Sequence, residues 1–577
     1  MSYPERYYIN QSPAALRTAI ALDLNGLWGA DVRHYGAVLD GVTDDTAALQ
    51  AWANVGGNLV FPVAATALIS APIAFPSNTR VTGCRGATIA TATHDISMFT
   101  LTNVRDTTIQ GFHFKQTSQG TGAHVGAVYL AGCTNCDILE NEAEGMQWGG
   151  IIVTGSNYCR VSRNYLHDGT GGQLNSSADI SVESTVSTGC VGNVVDRNTC
   201  IGGQEFGVAC WDPYSGNLPV KNLITGNFIS GATGYGILVY MPDAGDTYNR
   251  VIGNHVENIT GSIVSNPSSG AGIYGVGAGL GGLVVSGNTI RNCCINTANA
   301  TIAPAGIGLL GTSAGTVPIE ISGNVISDMS QYWGILATGI AGGATIANNT
   351  IRQPASNTTG DCIRVVNSNN VTVSANTCLQ LNTTSAQRGI LVFAQAASCS
   401  NIAIVGNTVT GGHFSQIEAQ QTSGNVVSGL TITGNMCNGG DNSCIPLLLN
   451  SGAAGDVQVT GNNFNGGNAA VVSQTACTVV RYANNRLKGT GTVIFTSSGA
   501  NTASYYDKTN VGTGNGAGMV NGGTSLTVEQ QGNAAPAAGT WAVGDRIEQS
   551  VPVVGSPKGW RCTVAGTPGT WVSEGNL

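Results

Sequence analysis

The 577-residue chain is short of charge: Asp, Glu, Lys and Arg together make up 10% of it, and only five residues are lysine. With 23 basic against 32 acidic residues the net charge is −9, and no basic run occurs, so nucleic acid and anionic membrane surfaces are not expected as partners. Aromatic residues are sparse at 6%. No apolar run approaches the roughly 20 residues of a membrane-spanning helix, so membrane insertion is not expected either. The opening 26 residues carry Glu5, Arg6, Arg17 and Asp23, which interrupt any apolar segment of signal-peptide kind. Sixteen cysteines are too dilute over this length for a disulfide scaffold. Cys133 and Cys136 in "CTNC" lack a second pair at zinc-site spacing, and neither a metal nor another cofactor is expected. What the chain has in excess is glycine, 82 residues, mostly single beside Asn, Thr or Ser, which is the composition of many turns. Hydrophobic residues make up 42%, too many for disorder.

One phrase recurs along the middle of the chain, as in "ITGNFI", "VIGNHV", "VSGNTI", "ISGNVI" and "IVGNTV". Its asparagines are Asn141, Asn164, Asn198, Asn227, Asn254, Asn288, Asn324, Asn349, Asn376, Asn407, Asn435, Asn462 and Asn485, spaced 23 to 36 residues apart. A period in this range means a solenoid. Recurring leucine and a helix per unit, which leucine-rich repeats demand, are both missing. Each unit instead has short alternating strands around an Asn corner, and Asn tolerates the left-handed backbone such a corner needs. The fold class is therefore all-β, a right-handed parallel β-helix of about 13 or more coils. The strand before each Asn is termed PB2, the strand after it PB3, and a longer loop leads to a third, PB1, typified by "GILVY" and "GIGLL".

Period-two alternation points the residue two after each Asn inward, so Cys200, Cys378 and Cys437 share a column with Ile229, Ile290 and Val409 and read as small core residues. Stacked corner asparagines read as amide ladders with no chemistry of their own. Upstream, "YGAVLDGVTDDTAALQAW" predicts a strand and then a helix near 44–53, capped by Asp44 or Asp45, which would cover the open end of the first coil.

That stretch and the "GGNLVFPVAATALIS" after it resemble the start of the pectate-lyase-like β-helix superfamily. With a tail module carrying Trp541, Trp560 and Trp571, the chain resembles the bacteriophage tailspikes among them, trimeric depolymerases that cut capsular or O-antigen polysaccharide. The expected division is an N-terminal arm or anchoring peptide over 1–29, the helix body over 30–500, and a linker with a small β module over 501–577. The resemblance implies a homotrimer that joins other phage tail proteins through its N-terminus. It also implies assembly in the host cytoplasm and action, as part of the virion, at the bacterial cell surface.

Acidic residues crowd one region, from Asp168 to Asp246. Aligning its PB1 strands by their inward pairs, Ile180 and Val182, Val208 and Cys210, Ile237 and Val239, puts Glu183, Trp211 and Tyr240 in one outward column. Neighbouring coils lie about 4.8 Å apart, so the three would form a continuous stripe, with the Trp ring for a sugar's C–H face and carboxylates for its hydroxyls. Asp212, Asp243 and Asp246 follow the column into its loops, while Asp179 and Glu205 lie at the other strand ends. Glycoside hydrolysis needs an acid and a second carboxylate about 5 to 9.5 Å away, a spacing that one or two coils supply. Asp212 with Asp243 or Asp246 is the leading pair. Glu183 and Glu205 compete as third member, the latter because the resemblance implies one Glu and two Asp near a Trp. Tyr274, one coil on, either extends the surface or packs under a loop.

A weaker cluster comprises Asp361, Arg364, Arg388, His413 and Glu418, suited to an anionic sugar or simply a solvated face. Two other functions remain open. A polysaccharide lyase on the same fold needs a base and a cation for the uronate, and the crowded region has no Lys between Lys115 and Lys221. An adhesin would bind glycan through the aromatic stripe without cutting it.

Overall fold

The computed structural model describes residues 29–577 except 119–123, 171–176, 203, 262–269, 296–304, 312–315, 383–386, 413, 423, 440–443, 451–455, 467–470, 474–479, 490–494, 499–503, 507–510, 515–518, 523–526 and 540. The N-terminal arm and His413 therefore lie outside the described residues. The described chain groups into two compact units, one up to Met241 with Asn249–Val256, the other comprising Pro242–Tyr248, Glu257–Gly261 and the chain from 267 to 577.

Both units are built of three parallel ladders, the expected PB1, PB2 and PB3. In the first unit PB1 runs from Ile73–Ala74 to Tyr235–Tyr240 and PB2 from Ala30–Asp31 to Arg250–Ile252, each strand pairing with its equivalent one coil away. In the second, PB1 runs from Ile273–Val276 to Met519–Gly522 and PB3 from Thr289–Arg291 to Val511–Gly514. Consecutive parallel strands joined by crossovers take the right-handed sense, and the fold is a right-handed parallel β-helix. The ladders run on past the boundary expected at 500, because strand pairing continues through Ser504–Tyr506 to Thr527–Gly532 without the Asn phrase. Arg546–Gln549 then adds in parallel, and Gly559–Val564 and Thr570–Ser573 follow antiparallel around an edge-to-face pair, Trp541 and Trp571, 5.1 Å apart.

The corner asparagines are buried and linked coil to coil. In the first unit the backbone N–H of Asn164 donates to Asn198 Oδ1 at 2.9 Å and its Nδ2 to the same oxygen at 2.9 Å, and in the second Asn376 does the same to Asn407. A second ladder, Asn193 to Asn222 to Asn249, runs beside the first. These bonds satisfy buried amides where the backbone turns from one strand to the next.

The capping helix spans Thr46–Ala53. Asp45 stands at its N-cap position but makes no side-chain cap bond, accepting instead from Val38 N and Leu39 N in the preceding turn, while Asp44 accepts from Thr46 N at 2.9 Å. Its buried face covers the first coil: Trp52 Nε1 donates to Ala30 O at 2.7 Å, and the ring meets Phe75 edge-on.

The interior is close enough to dictate residue size. The second residue of most PB1 strands faces PB3 across the lumen; a Cβ at Gly207 would lie 2.3 Å from Ile229 Cγ2, and one at Gly150 2.0 Å from Leu166 Cδ2. Only glycine fits there opposite a branched residue.

Candidate functional site

PB1 of the first unit carries the acidic and aromatic column in the expected register: Glu183 pairs with Trp211, and Trp211 with Tyr240. Two members of the column are withdrawn from solvent and Tyr240 is half-buried. Glu183 is 2% exposed and Trp211 is buried, with His124 from an upstream coil packed against them. Trp211 Nε1 donates to Glu183 Oε2 at 2.9 Å, and His124 Nδ1 lies 3.4 Å from Glu183 Oε1. The His124 ring sits 6.0 Å from Trp148 and 6.3 Å from Trp211. Its hydrogen bond to Glu183 raises the imidazole pKa above 6.5, against the opposing effect of burial. Tyr129, whose phenol is pushed up by burial and by the Glu183 charge, stands on the same face, and Tyr214 is exposed beside it.

The result is a carboxylate and an imidazole 3.4 Å apart among indoles and phenols. Such an arrangement can give a proton to, or take one from, a sugar oxygen, while the rings take the C–H faces of pyranose units. His124, Tyr129 and Trp148 were not read from the sequence. They lie 59, 54 and 35 residues before Glu183, on coils whose loops vary, so no local spacing marks them.

The remaining expected residues have different placements. Asp212 is buried and holds its own loop: it accepts from Ser184 Oγ through a short bond and from Tyr214 N and Asn217 N, each at 3.2 Å. Asp179 was expected at a strand end, but its side chain occupies the glycine column, facing the lumen beside Cys200, and burial raises its pKa well above 3.8. Glu205 is buried too, its N–H donating to Ser177 Oγ and its carbonyl accepting from Gly234 and Tyr235. Asp243 and Asp246 belong to the second unit. There Asp246 fixes a turn, accepting from Thr316 Oγ1 at 2.6 Å, Thr316 N at 2.9 Å and Val317 N at 3.1 Å, and these bonds lower its pKa. Tyr274 is buried against Gly308, the packing alternative of the two read for it.

The cluster read as a solvated face is a buried network in the second unit. Arg388 Nε donates to Glu418 Oε2 at 2.9 Å, its N–H donates to Asp361 Oδ1 at 2.9 Å, and Arg364 Nη1 is 3.6 Å from Asp361 Oδ2. Burial raises the Asp361 pKa to about 6 even though both arginines oppose it.

The class of protein is thus set by its own ladders, a parallel β-helix with a polar, aromatic-lined PB1 face. Against known proteins, residues 76–275, about a third of the chain, match the family model described as periplasmic copper-binding protein (NosD). No curated protein matches the sequence. Similar solved structures include PfbA, a surface adhesin of Streptococcus pneumoniae, at 16% identity and TM-score 0.40, covering 74% of this chain and 93% of that one. The tailspike of Escherichia coli bacteriophage HK620, solved with a hexasaccharide, is similar at 12% identity and TM-score 0.41, covering 94% and 91%. The catalytic unit of a GH87 α-1,3-glucanase from Streptomyces thermodiastaticus is similar at 13% identity and TM-score 0.32, covering 86% and 68%.

Within the stretch that matches the family model, burial pushes the Cys190 thiol up to about 12, and its Sγ lies 3.0 Å from Glu183 O. Among the described residues no group of three or more His, Cys, Asp and Glu side chains is placed to hold an ion.

Proposed function

We propose that this chain is a tailspike-type, endo-acting glycoside hydrolase that binds and cuts a bacterial capsular or O-antigen polysaccharide on PB1 of the first unit. The observation that carries the reading is the Glu183 carboxylate, desolvated and held between His124 and Trp211 on a face lined by Trp148, Tyr129 and Tyr214. Glu183 is the proton-transferring group in this reading, and His124 positions it. Trp211 and Tyr240 bind the chain of sugars. Asp212 holds the loop that follows Trp211. On the same reading the protein is a homotrimer of the phage tail, joined to other tail proteins through its N-terminal residues. It is assembled in the host cytoplasm and acts at the bacterial surface.

The test incubates the full chain with a panel of purified capsular and O-antigen polysaccharides and takes product masses. Glu183→Gln is expected to lower product release at least a hundredfold, the size of a lost general acid or base, while leaving binding within a few-fold. Oligosaccharides with a gain of one water per cut support hydrolysis. Products with new ultraviolet absorbance from an unsaturated end identify a lyase, a reading that His124 and Tyr129 beside Glu183 would also serve. Binding to a polysaccharide without any product identifies an adhesin.

A further inference from the structure

The second unit contains a guanidinium held between aromatic rings with no hydrogen-bonded carboxylate. Arg364 stands on PB1, in register with Leu336 on one side and Leu391 on the other. Its guanidinium carbon lies 4.7 Å from the centroid of Trp333 and 5.4 Å from that of Phe393, so two aromatic faces fix the plane of the fork. The side chain is 19% exposed. Its nearest carboxylate oxygen, Asp361 Oδ2, is at 3.6 Å, beyond hydrogen-bonding distance, and Arg364 Nε has no hydrogen-bond partner. Trp333 Nε1 and Asp361 Oδ2 are likewise buried without a partner.

A buried charge with unused donors costs free energy unless something supplies acceptors. The second arginine of the network is already matched: Glu418 Oε2 accepts from Arg388 Nε and from Ser415 Oγ at 2.8 Å, and Arg388 lies over Phe414 at 5.1 Å. Arg364 is pre-oriented by its aromatic walls, with Nε unbonded and Nη1 no nearer than 3.6 Å to Asp361 Oδ2. A planar fork between aromatic walls fits a planar oxyanion bidentately, and half-buried Trp333, Phe393 and Phe414 offer apolar surface for the ring that bears it.

We propose that Arg364, held between Trp333 and Phe393, is a subsite for the carboxylate of an acidic sugar, separate from the Glu183 site. The inference rests on the carbohydrate reading above and adds a substrate class, a polysaccharide containing uronic or related acid residues.

The test uses single sugars, so that linkage does not matter. Methyl β-glucuronide and methyl β-glucoside are titrated into the full-length protein and followed by ligand-observed NMR. The glucuronide is expected to bind at least tenfold more tightly, and added salt should weaken it. Arg364→Met should abolish the preference and Arg364→Lys, which keeps the charge but not the fork, should retain part of it. Glu183→Gln should leave the preference intact. Matching melting temperatures check that the variants fold, and the salt dependence of the wild type tests the point without any variant. Equal affinities, a preference that survives Arg364→Met, or binding of neither sugar overturns the subsite. The polymer panel decides the carbohydrate reading independently of any of these outcomes.

Discussion

Asp179, facing a lumen lined almost entirely by apolar residues, and Asp361, buried beside Arg364 and Arg388, are carboxyl groups whose pKa values are raised by burial. Such a group favours the folded state when protonated. Its stabilising effect is fully present below the unfolded value near 3.8 and is lost as pH rises through the folded value, about 6 for Asp361. That shift corresponds to a loss of roughly 3 kcal/mol across this window for Asp361. Asp44 and Asp246, whose hydrogen bonds lower their pKa values, act in the opposite sense and lose stabilisation in acid. Single variants separate the two groups. Asp179→Asn keeps the shape and removes the charge, so the gap in melting temperature between this variant and the wild type should grow in the variant's favour from pH 4 to pH 7. A gap that stays constant or shrinks over that range would mean Asp179 is not a raised, lumen-facing acid.

At the scale of the strand, the glycine column and the PB3 core column compensate one another coil by coil. Gly150, Gly207, Gly272, Gly306, Gly334 and Gly389 face Leu166, Ile229, Ile290, Ile326, Ile351 and Val409 at 2.0 to 2.6 Å from a built Cβ. Asp179, Cys362 and Gln416 take the glycine's place in three coils, and the PB3 residues of those coils are Cys200, Cys378 and Cys437. The three cysteines are therefore small for a reason: they make room for a side chain across the lumen. Cys200→Ile should overpack its coil and cost about 1–3 kcal/mol in urea melts. Adding Asp179→Gly should recover most of that loss, because the pair is coupled rather than additive. Additive costs in the double variant would count against the compensation.

The same columns show what a sequence can convey. Alternation and the Asn phrase were enough to place PB1, PB2 and PB3 and to register Glu183 with Trp211 and Tyr240, because both depend only on period and spacing. Burial of that column was not legible. Alternation says which side of a strand a residue faces but not what a loop lays over it, and His124 reaches Glu183 from 59 residues upstream. For the same reason Asp212 looked like an acid at the rim and is the anchor of its loop. The second amide ladder had a visible signal, since Asn193, Asn222 and Asn249 each stand five residues before a corner Asn.

At the scale of the whole molecule, the outward positions of PB3 in each unit carry large apolar residues in solvent. Tyr165 and Ile201 are exposed in the first unit and Val325 and Met436 in the second, each one residue away from a fully inward neighbour. A symmetric association of identical chains would cover exposed apolar residues of this kind. The proposed trimer therefore predicts a sedimentation mass near three times 58.7 kDa, independent of concentration across the micromolar range. Val325→Glu combined with Met436→Glu should shift that mass toward the single chain while leaving the far-ultraviolet β spectrum unchanged, since both side chains point away from the lumen. A wild type that sediments as a monomer would remove the trimer from the proposed function. A trimer that survives both charges would move the interface off the PB3 face and on to another.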